Sequence, residues 1–410
     1  MTETRSRQIV IAGAGIAGLT AALAFAEHGF PVKLFEQAKQ LEAAGAGLQL
    51  SPNATRILRR LGVLEHLLPN AIRPEAVMLK DARSLRELAR VPLGAAGESR
   101  WGAPYLAAHR ADLQAALMAA VAERPDIELV TGARVSGIAV DPQSVVATVE
   151  SDSNGMEVGG GLLVGADGVW SSVRAGLAGT VGFAASRFSG ELAWRATIAA
   201  DSAAGQVFKQ IGASDCVTTF LHPGFHMVAY PVSKGSAFNL AAFTKGERIA
   251  EGWSGHADPA ILSSAMRGTA ATLSMLVALA GPWMAFPIHT VVQQRWTMPE
   301  GIALIGDAAH AMTPFAAQGA AMGIEDASML ANLVADFPGD PRQSLTVWEN
   351  LRRPRVERVL KRGALNRLAW HARGPVAIAR NLVLAARPAE KLAADLDWLY
   401  GWEERKVVRR

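Results

Sequence analysis

The segment spanning residues 8–36 places the strongest limit on how this chain can fold. QIVIA (8–12) is a short apolar strand. Gly13-Ala14-Gly15-Ile16-Ala17-Gly18 follows with the spacing G-x-G-x-x-G. The next run, LTAALAFAEHG, reads as a helix that stops at Gly29 as at a C-cap. PVKLFE is then a second strand, and it ends at Glu36, eighteen residues past the third glycine. Strand, glycine turn, helix, strand and acid together form the dinucleotide fingerprint in its full context. In that reading Gly13 makes the turn and Gly15 lets a pyrophosphate approach the backbone. Ala17 belongs to the same cofactor-facing turn, Gly18 packs the helix on the sheet, and Glu36 accepts hydrogen bonds from an adenosine ribose. The competing reading is glycines that serve only helix–strand packing. NAD and FAD both satisfy the fingerprint.

A second constraint is IALIGDAAHAMTPFAAQGAAMGIEDA, residues 302–327. It begins as an apolar strand and reaches Gly306-Asp307 where a strand would leave a sheet. A loop with Pro314 follows, then a helix that opens on Gly319, Ala320, Ala321 and Gly323. Small residues at a helix start leave backbone N–H groups open to a flat ligand, and the positive end suits an anion or an electron-rich carbonyl. An ordinary strand–loop–helix crossover would look similar.

At 410 residues the chain exceeds one ordinary core and divides into two or three units. Half the residues are apolar and 19% are charged, which excludes a disordered chain. The single cysteine, Cys216, excludes an internal disulfide framework and favours a reducing compartment. No metal-binding Cys/His cluster is visible. MTETRSRQIV is polar and does not read as a secretory signal. The apolar run 270–286 is interrupted by Gly281-Pro282 and is too short to span a bilayer. The expected location is the cytoplasm, with neither nucleic acid nor membrane as partner, for a monomer or a homodimer. Residues 352–410 carry 15 Lys+Arg against 6 Asp+Glu. Mixed with Trp370, Trp398, Trp402, leucines and alanines, these charges read as a solvated helical face covering the body.

GAGLQLSPNATRIL, with Gly45 and Gly47 in a loop, Gln49 after them and Ser51-Pro52 opening a helix, points to FAD rather than NAD. From here the sequence resembles the class A flavoprotein aromatic hydroxylases. His109-Arg110-Ala111-Asp112-Leu113 is similar to the family helix whose arginine reaches the flavin nucleotide. Leu162 to Arg174, with Gly165-Ala166-Asp167-Gly168, is similar to its Asp-Gly motif. Gly306-Asp307-Ala308-Ala309-His310, with Pro314 and Gly319, is similar to its Gly-Asp flavin motif. Order and spacing match over residues 8–350, with salicylate hydroxylase-like and 6-hydroxynicotinate 3-monooxygenase-like members most alike. The resemblance implies bound FAD and a transient NADH or NADPH. Arg110 would hold a pyrophosphate oxygen, Asp167 would link the flavin and nicotinamide regions, and Asp307 would accept from a ribityl hydroxyl. Pro314 would lie beside the reactive face of the ring, with Gly319, Ala320 and Ala321 at its pyrimidine edge. His310 is read as a structural hydrogen-bonding group. A surface ion pair of Arg110 with Asp112 or Glu123 is the alternative for that residue.

The fold expected is α/β. A Rossmann-like FAD-binding domain (1–75, 101–175, 291–345) is interleaved with a mostly antiparallel sheet domain (76–100, 176–290) and followed by a C-terminal helical segment (346–410). Stretches such as ELAWRATIA, CVTTFLH, FHMVAYPV and AFNLAAFT supply the sheet. His226 and Tyr230 lie four apart on one expected strand and so on one face. Histidine titrates near working pH, which suits a base that takes a phenol proton. The His-x-x-x-Tyr-Pro pattern resembles the family stretch that lines the substrate pocket. His226 is the expected base or substrate anchor, with Tyr230 assisting; sheet residues satisfied by neighbours are the alternative. Arg195 is the candidate partner of a substrate carboxylate, or else a structural ion pair. Cys216 lines the same pocket or is a buried inert thiol.

The activity implied is an NAD(P)H- and O2-consuming hydroxylation of a small aromatic or heteroaromatic acid or phenol through a flavin C4a-hydroperoxide. Decarboxylation accompanies it if the attacked carbon carries the carboxylate. A monooxygenase or epoxidase of larger polycyclic substrates and a non-catalytic flavin-binding protein stay open as alternatives.

Overall fold

The computed structural model describes residues 7–41, 47–141, 144–151, 155–247, 258–337 and 340–404. The first strand, Ile9–Ala12, lies inside a six-stranded sheet. Val32–Glu36 pairs parallel with it on one side and Leu162–Gly165 on the other. Ile127–Thr131 extends the sheet beyond Val32–Glu36, and Ile302–Leu304 extends it beyond Leu162–Gly165. Only the short edge strand Thr297–Met298 runs antiparallel. Ile9–Ala12, Leu162–Gly165 and Ile302–Leu304 are buried along their whole length, as strands covered by helices on both faces must be. The glycine turn, the Asp-Gly segment and the Gly-Asp segment all leave this sheet at the carboxyl ends of neighbouring strands. A doubly wound sheet keeps its ligand crevice at that edge.

A seven-stranded sheet stands beside it. Its order is Met284–Thr290, Arg187–Ala199, Ala237–Lys245, Phe225–Val232, Val217–Leu221, Ala76–Asp81 and Glu87–Pro92. The sheet is antiparallel except where Val217–Leu221 pairs parallel with Ala76–Asp81. Its strands do not alternate between buried and exposed as the sequence suggests. Val217–Leu221 is buried throughout and Phe225–Val232 nearly so. One face packs on the helices Ala203–Ile211, Pro259–Ala265 and Ala271–Leu279 through Trp194, Phe208, Phe220, Phe238 and Leu273. The other turns towards the nucleotide-type sheet. Gly47, expected in a loop, begins the strand Gly47–Leu50, paired with Leu106–His109; Gly45 lies outside the described residues.

The long helix Pro341–Trp370 crosses the body and buries Trp348, Arg352, Val356 and Val359. The helix after it, Gly374–Ala386, lies on the edge strand Glu87–Pro92 and leaves an apolar side open. None of its residues is buried, and Val376, Ile378, Leu382 and Val383 face solvent. No helix among the described residues is long and apolar enough to cross a membrane.

Candidate active site

The glycine turn has the form a pyrophosphate cradle requires. Gly13 has φ +96°, and a Cβ there would lie 2.7 Å from the Ala166 carbonyl oxygen. Gly18 sits so close to the Gly13 carbonyl that no side chain fits. Gly15 is different, because a Cβ there would meet no protein atom within 4 Å. Its space is open, and a phosphate can reach the backbone through it. Both Glu36 oxygens already accept backbone N–H groups, Oε2 from Ala14 at 2.8 Å and Oε1 from Ala38 at 2.9 Å. That fixes the carboxylate beside the turn and leaves lone pairs for a ribose diol. Ala17 plays a packing part. A Cβ on Gly306 or on Gly323 would stand 3.2 Å from the Ala17 methyl, so these three small residues let the helices Ile16–Glu27 and Gly319–Asp336 cross closely.

Three polar side chains near this edge keep hydrogen-bonding capacity that the protein does not use. Asp307 is exposed at the start of the short helix Asp307–His310, with no hydrogen bond or ion pair among the described residues. Arg110 is likewise exposed and unpaired at the start of Arg110–Ala122, so the alternative ion pairs with Asp112 and Glu123 do not form. Asp167 accepts from Ser172 Oγ and Val173 N through Oδ2, both at 3.0 Å, while its buried Oδ1 has no partner. An open backbone cradle with an unpaired acid, an unpaired guanidinium and an orphaned carboxylate oxygen fits a dinucleotide that brings phosphates and hydroxyls.

The second helix start is held by a network that the sequence does not disclose. Gln318 caps Gly319–Asp336, and its Nε2 donates to Ser51 Oγ at 2.9 Å. Asn53 donates to Glu325 at 2.6 Å. Glu325 and Asp326 are fully buried and share Arg352, at 2.6 and 2.7 Å, and Arg355 adds a second cation to Glu325 at 2.7 Å. Asp326 also accepts from Gly306 N at 3.0 Å and pairs with His310 Nε2 at 2.6 Å. Burial would raise its carboxyl pKa, but His310 and Arg352 outweigh burial and hold it at about 2. His310 is therefore structural, as expected. Two acids against two arginines keep the buried charge balanced. They tie Gly306 and Gln318, the residues that open both backbone N-termini, to one support. Pro314 begins a single turn, Pro314–Ala316, between them, and Ala320 and Gly319 stay partly open.

The facing wall is the inner face of the seven-stranded sheet. His226, Val228 and Tyr230 alternate onto that face of Phe225–Val232. Val228 pairs with Ala241, and Ala241 with Arg195. These three keep partial exposure while their strand neighbours are buried, so a recess opens at their level. Tyr230 bounds one end. A Cβ on Gly47 would stand 2.8 Å from its hydroxyl, and Gly47 N donates to Asn239 at 2.8 Å. Gln49 lies beside it and accepts the Tyr105 hydroxyl at 2.6 Å. His226 bounds the other end among Phe243, Phe315, Trp370 and His371. Phe315 follows Pro314 directly, so each end of the strand touches a segment of the nucleotide-type domain.

Arg195 stacks on Phe286 at 5.2 Å and has no hydrogen bond or ion pair among the described residues. Burial lowers its pKa, Tyr230 opposes that, and Arg110 adds to it. The structural ion pair is thus absent. Cys216 is not part of this recess. It lies on the other face of its strand with Ala76 and Met78, donates to Asp215 Oδ1 at 3.3 Å, and burial pushes its thiol up to about 11. The sequence offered no sign of Asn239, Phe315 or His371 at this site, because each arrives from a distant segment.

His226 Nδ1 and His371 Nε2 are 3.2 Å apart. Burial and then His371 hold His226 well below the ordinary 6.5. Burial, then Arg367, Lys245, Arg373 and His222, bring His371 to about 4. Below pH 6.5 the unfolded chain therefore binds protons that the folded pair refuses. This contribution to stability is intact above pH 6.5 and declines as pH falls towards 4. Thermal unfolding between pH 7.5 and 4.5 should show that decline, and His371→Leu should flatten it. An unchanged slope in the variant would remove the pair as its source.

The FAD binding domain family matches residues 6–363. A 3-amino-4-hydroxybenzoate 2-monooxygenase of Streptomyces platensis is 33% identical, covering 100% of this chain and 99% of the relative. A 3-hydroxybenzoate 6-hydroxylase of Polaromonas naphthalenivorans is 30% identical over 96% of both chains. A salicylate hydroxylase solved with its substrate superimposes with a TM-score of 0.81 at 22% identity, covering 100% of this chain and 98% of that one. The chain belongs to the FAD-binding-domain family of flavoprotein aromatic hydroxylases. It is an FAD-dependent monooxygenase that consumes NAD(P)H and O2.

Proposed function

We propose that this monooxygenase hydroxylates a small aromatic acid that carries a ring hydroxyl or amino group. The observation that carries the reading is Arg195, a half-buried guanidinium with no anionic partner among the described residues, at the level where Val228 and Ala241 open the sheet face. A desolvated cation with no counter-charge costs stability unless a ligand supplies one. A carboxylate does so with two oxygens that match the guanidinium fork.

With the carboxylate on Arg195, the ring lies over Val228 and Ala241, between Tyr230 and His226. Bound flavin supplies the hydride acceptor and the site of oxygen activation. The protein's part is to activate the ring and keep water out. Burial drives the Tyr230 hydroxyl pKa up, so it stays a neutral hydrogen-bond donor. His226 is neutral at working pH. If its Nδ1 donates to His371, its Nε2 holds the lone pair that takes the phenol proton. The proton then leaves through the half-buried His371 towards solvent. Loss of the proton raises the electron density of the ring at the carbon to be hydroxylated.

His226→Ala should lower hydroxylated product per NAD(P)H consumed by about tenfold or more, since losing an acid–base group slows its own step by about 100-fold or more. NAD(P)H oxidation itself should change far less. An unchanged product ratio would take His226 out of the mechanism. The substrate reading is tested with hydroxy- and aminobenzoates, hydroxynicotinates and uncharged phenols, following NAD(P)H loss, O2 uptake and product together. Turnover confined to carboxylated rings supports it, and equal turnover of neutral phenols rejects it.

A further inference from the structure

From the helix Gly374–Ala386 and the end of the helix before it, we infer an interaction surface for anionic lipid bilayers. The helix lies on the edge strand Glu87–Pro92. Ala377, Arg380, Asn381 and Leu384 are its less exposed positions, spaced as one helical face turned to the body. The opposite side is apolar and open, with Val376, Ile378 and Leu382 each 64% exposed and Val383 59%. Leu365 and Leu368, near the end of Pro341–Trp370, are exposed by 57% and 72%. Six large aliphatic side chains in water over some twenty residues form a patch rather than scattered exceptions. The segment is held in this pose, since Arg380 donates to the Ala369 and Trp370 carbonyls at 2.8 and 3.2 Å.

Charge decides what covers the patch. Residues 358–387 contain seven Lys+Arg and no Asp or Glu. Arg367 is answered by Glu191 and Arg387 by Asp395. Arg358, Lys361, Arg362 and Arg373 have no acid within ion-pair distance among the described residues, while Arg380 is spent on the Ala369 and Trp370 carbonyls. The neighbouring hairpin adds exposed Arg83 and Arg86, while its Arg90 is answered by Glu87. A second copy docked through this face by a two-fold axis would set like charges against each other. An anionic bilayer offers the complement, with acyl chains for the aliphatic side chains and headgroups for the cations.

The test uses the full-length holoenzyme with vesicles of phosphatidylcholine alone and of phosphatidylcholine with phosphatidylglycerol. We expect co-sedimentation with the anionic vesicles, weakened by salt, and little with the neutral ones. The double variant Val376→Asp/Leu382→Asp should cut the bound fraction about tenfold while keeping flavin absorbance and melting temperature, because both side chains sit in solvent. A second variant, Leu368→Asp, gives the same reading if the first folds poorly. Absent binding to anionic vesicles, or binding that both variants retain, would overturn the proposal. A dimer in sedimentation equilibrium that these substitutions dissociate would overturn it too, and would assign the face to a second copy of the chain.

Discussion

Gly15→Val should purify as folded, colourless protein. A Cβ at Gly15 meets no protein atom within 4 Å, so the fold does not oppose the substitution. The two added methyls occupy the space through which a phosphate reaches the backbone of the helix start. Flavin content should fall by at least about tenfold, since losing one or two charge-assisted backbone hydrogen bonds of about 1.5–3 kcal/mol each is worth that much. The melting temperature of the variant should match that of flavin-stripped wild type. Substitution at Gly13 or Gly18 would not test the same thing, because a side chain there strikes the Ala166 or Gly13 carbonyl and damages the turn itself. A yellow Gly15→Val protein with normal flavin content would show that the pyrophosphate does not pass this glycine.

Arg195→Met should weaken binding of aromatic carboxylates by about 30-fold to 1,000-fold or more, the range for removing one member of a desolvated charge pair. The loss should be selective. Met keeps most of the aliphatic stem against Phe286 and removes only the charge. Neutral phenols of the same size should bind as well as before, or better, because the variant carries no unpaired cation. Titration of the flavin spectrum with matched acid and neutral ligands measures both. Equal losses for the two ligands would mean that Arg195 shapes the recess without reading the carboxylate.

How far these residues can be read from sequence depends on the kind of constraint they obey. Gly13, Gly15 and Gly18 are legible because a local backbone requirement fixes both residue type and spacing. Asp307 and the Gly319 helix start follow for the same reason. The opposite wall obeys no local rule. Tyr230 meets Gly47 across 183 positions of sequence, and His226 meets His371 across 145. Only strand register and a helix crossing bring them together. Cys216 shows the limit clearly. Its neighbourhood in sequence was right, yet the pairing of Leu221 with His226 puts it on the other face of the sheet. Gly374–Ala386 misleads in another way. Its apolar residues give no local sign of which side packs, and here Val376, Ile378, Leu382 and Val383 meet water.

The arginines that balance Glu325 and Asp326 lie at positions 352 and 355, and Trp402 stands over both guanidiniums. Without those arginines the helix Gly319–Asp336 would carry two buried acids whose remaining side-chain partners are His310 and Asn53. Synthesis runs from the N-terminus, so the first glycine turn exists for most of the time on the ribosome beside an unfinished second half of its site. A chain stopped before residue 352 should therefore hold every glycine of the fingerprint and yet retain less flavin, which its absorbance at equal protein concentration would measure.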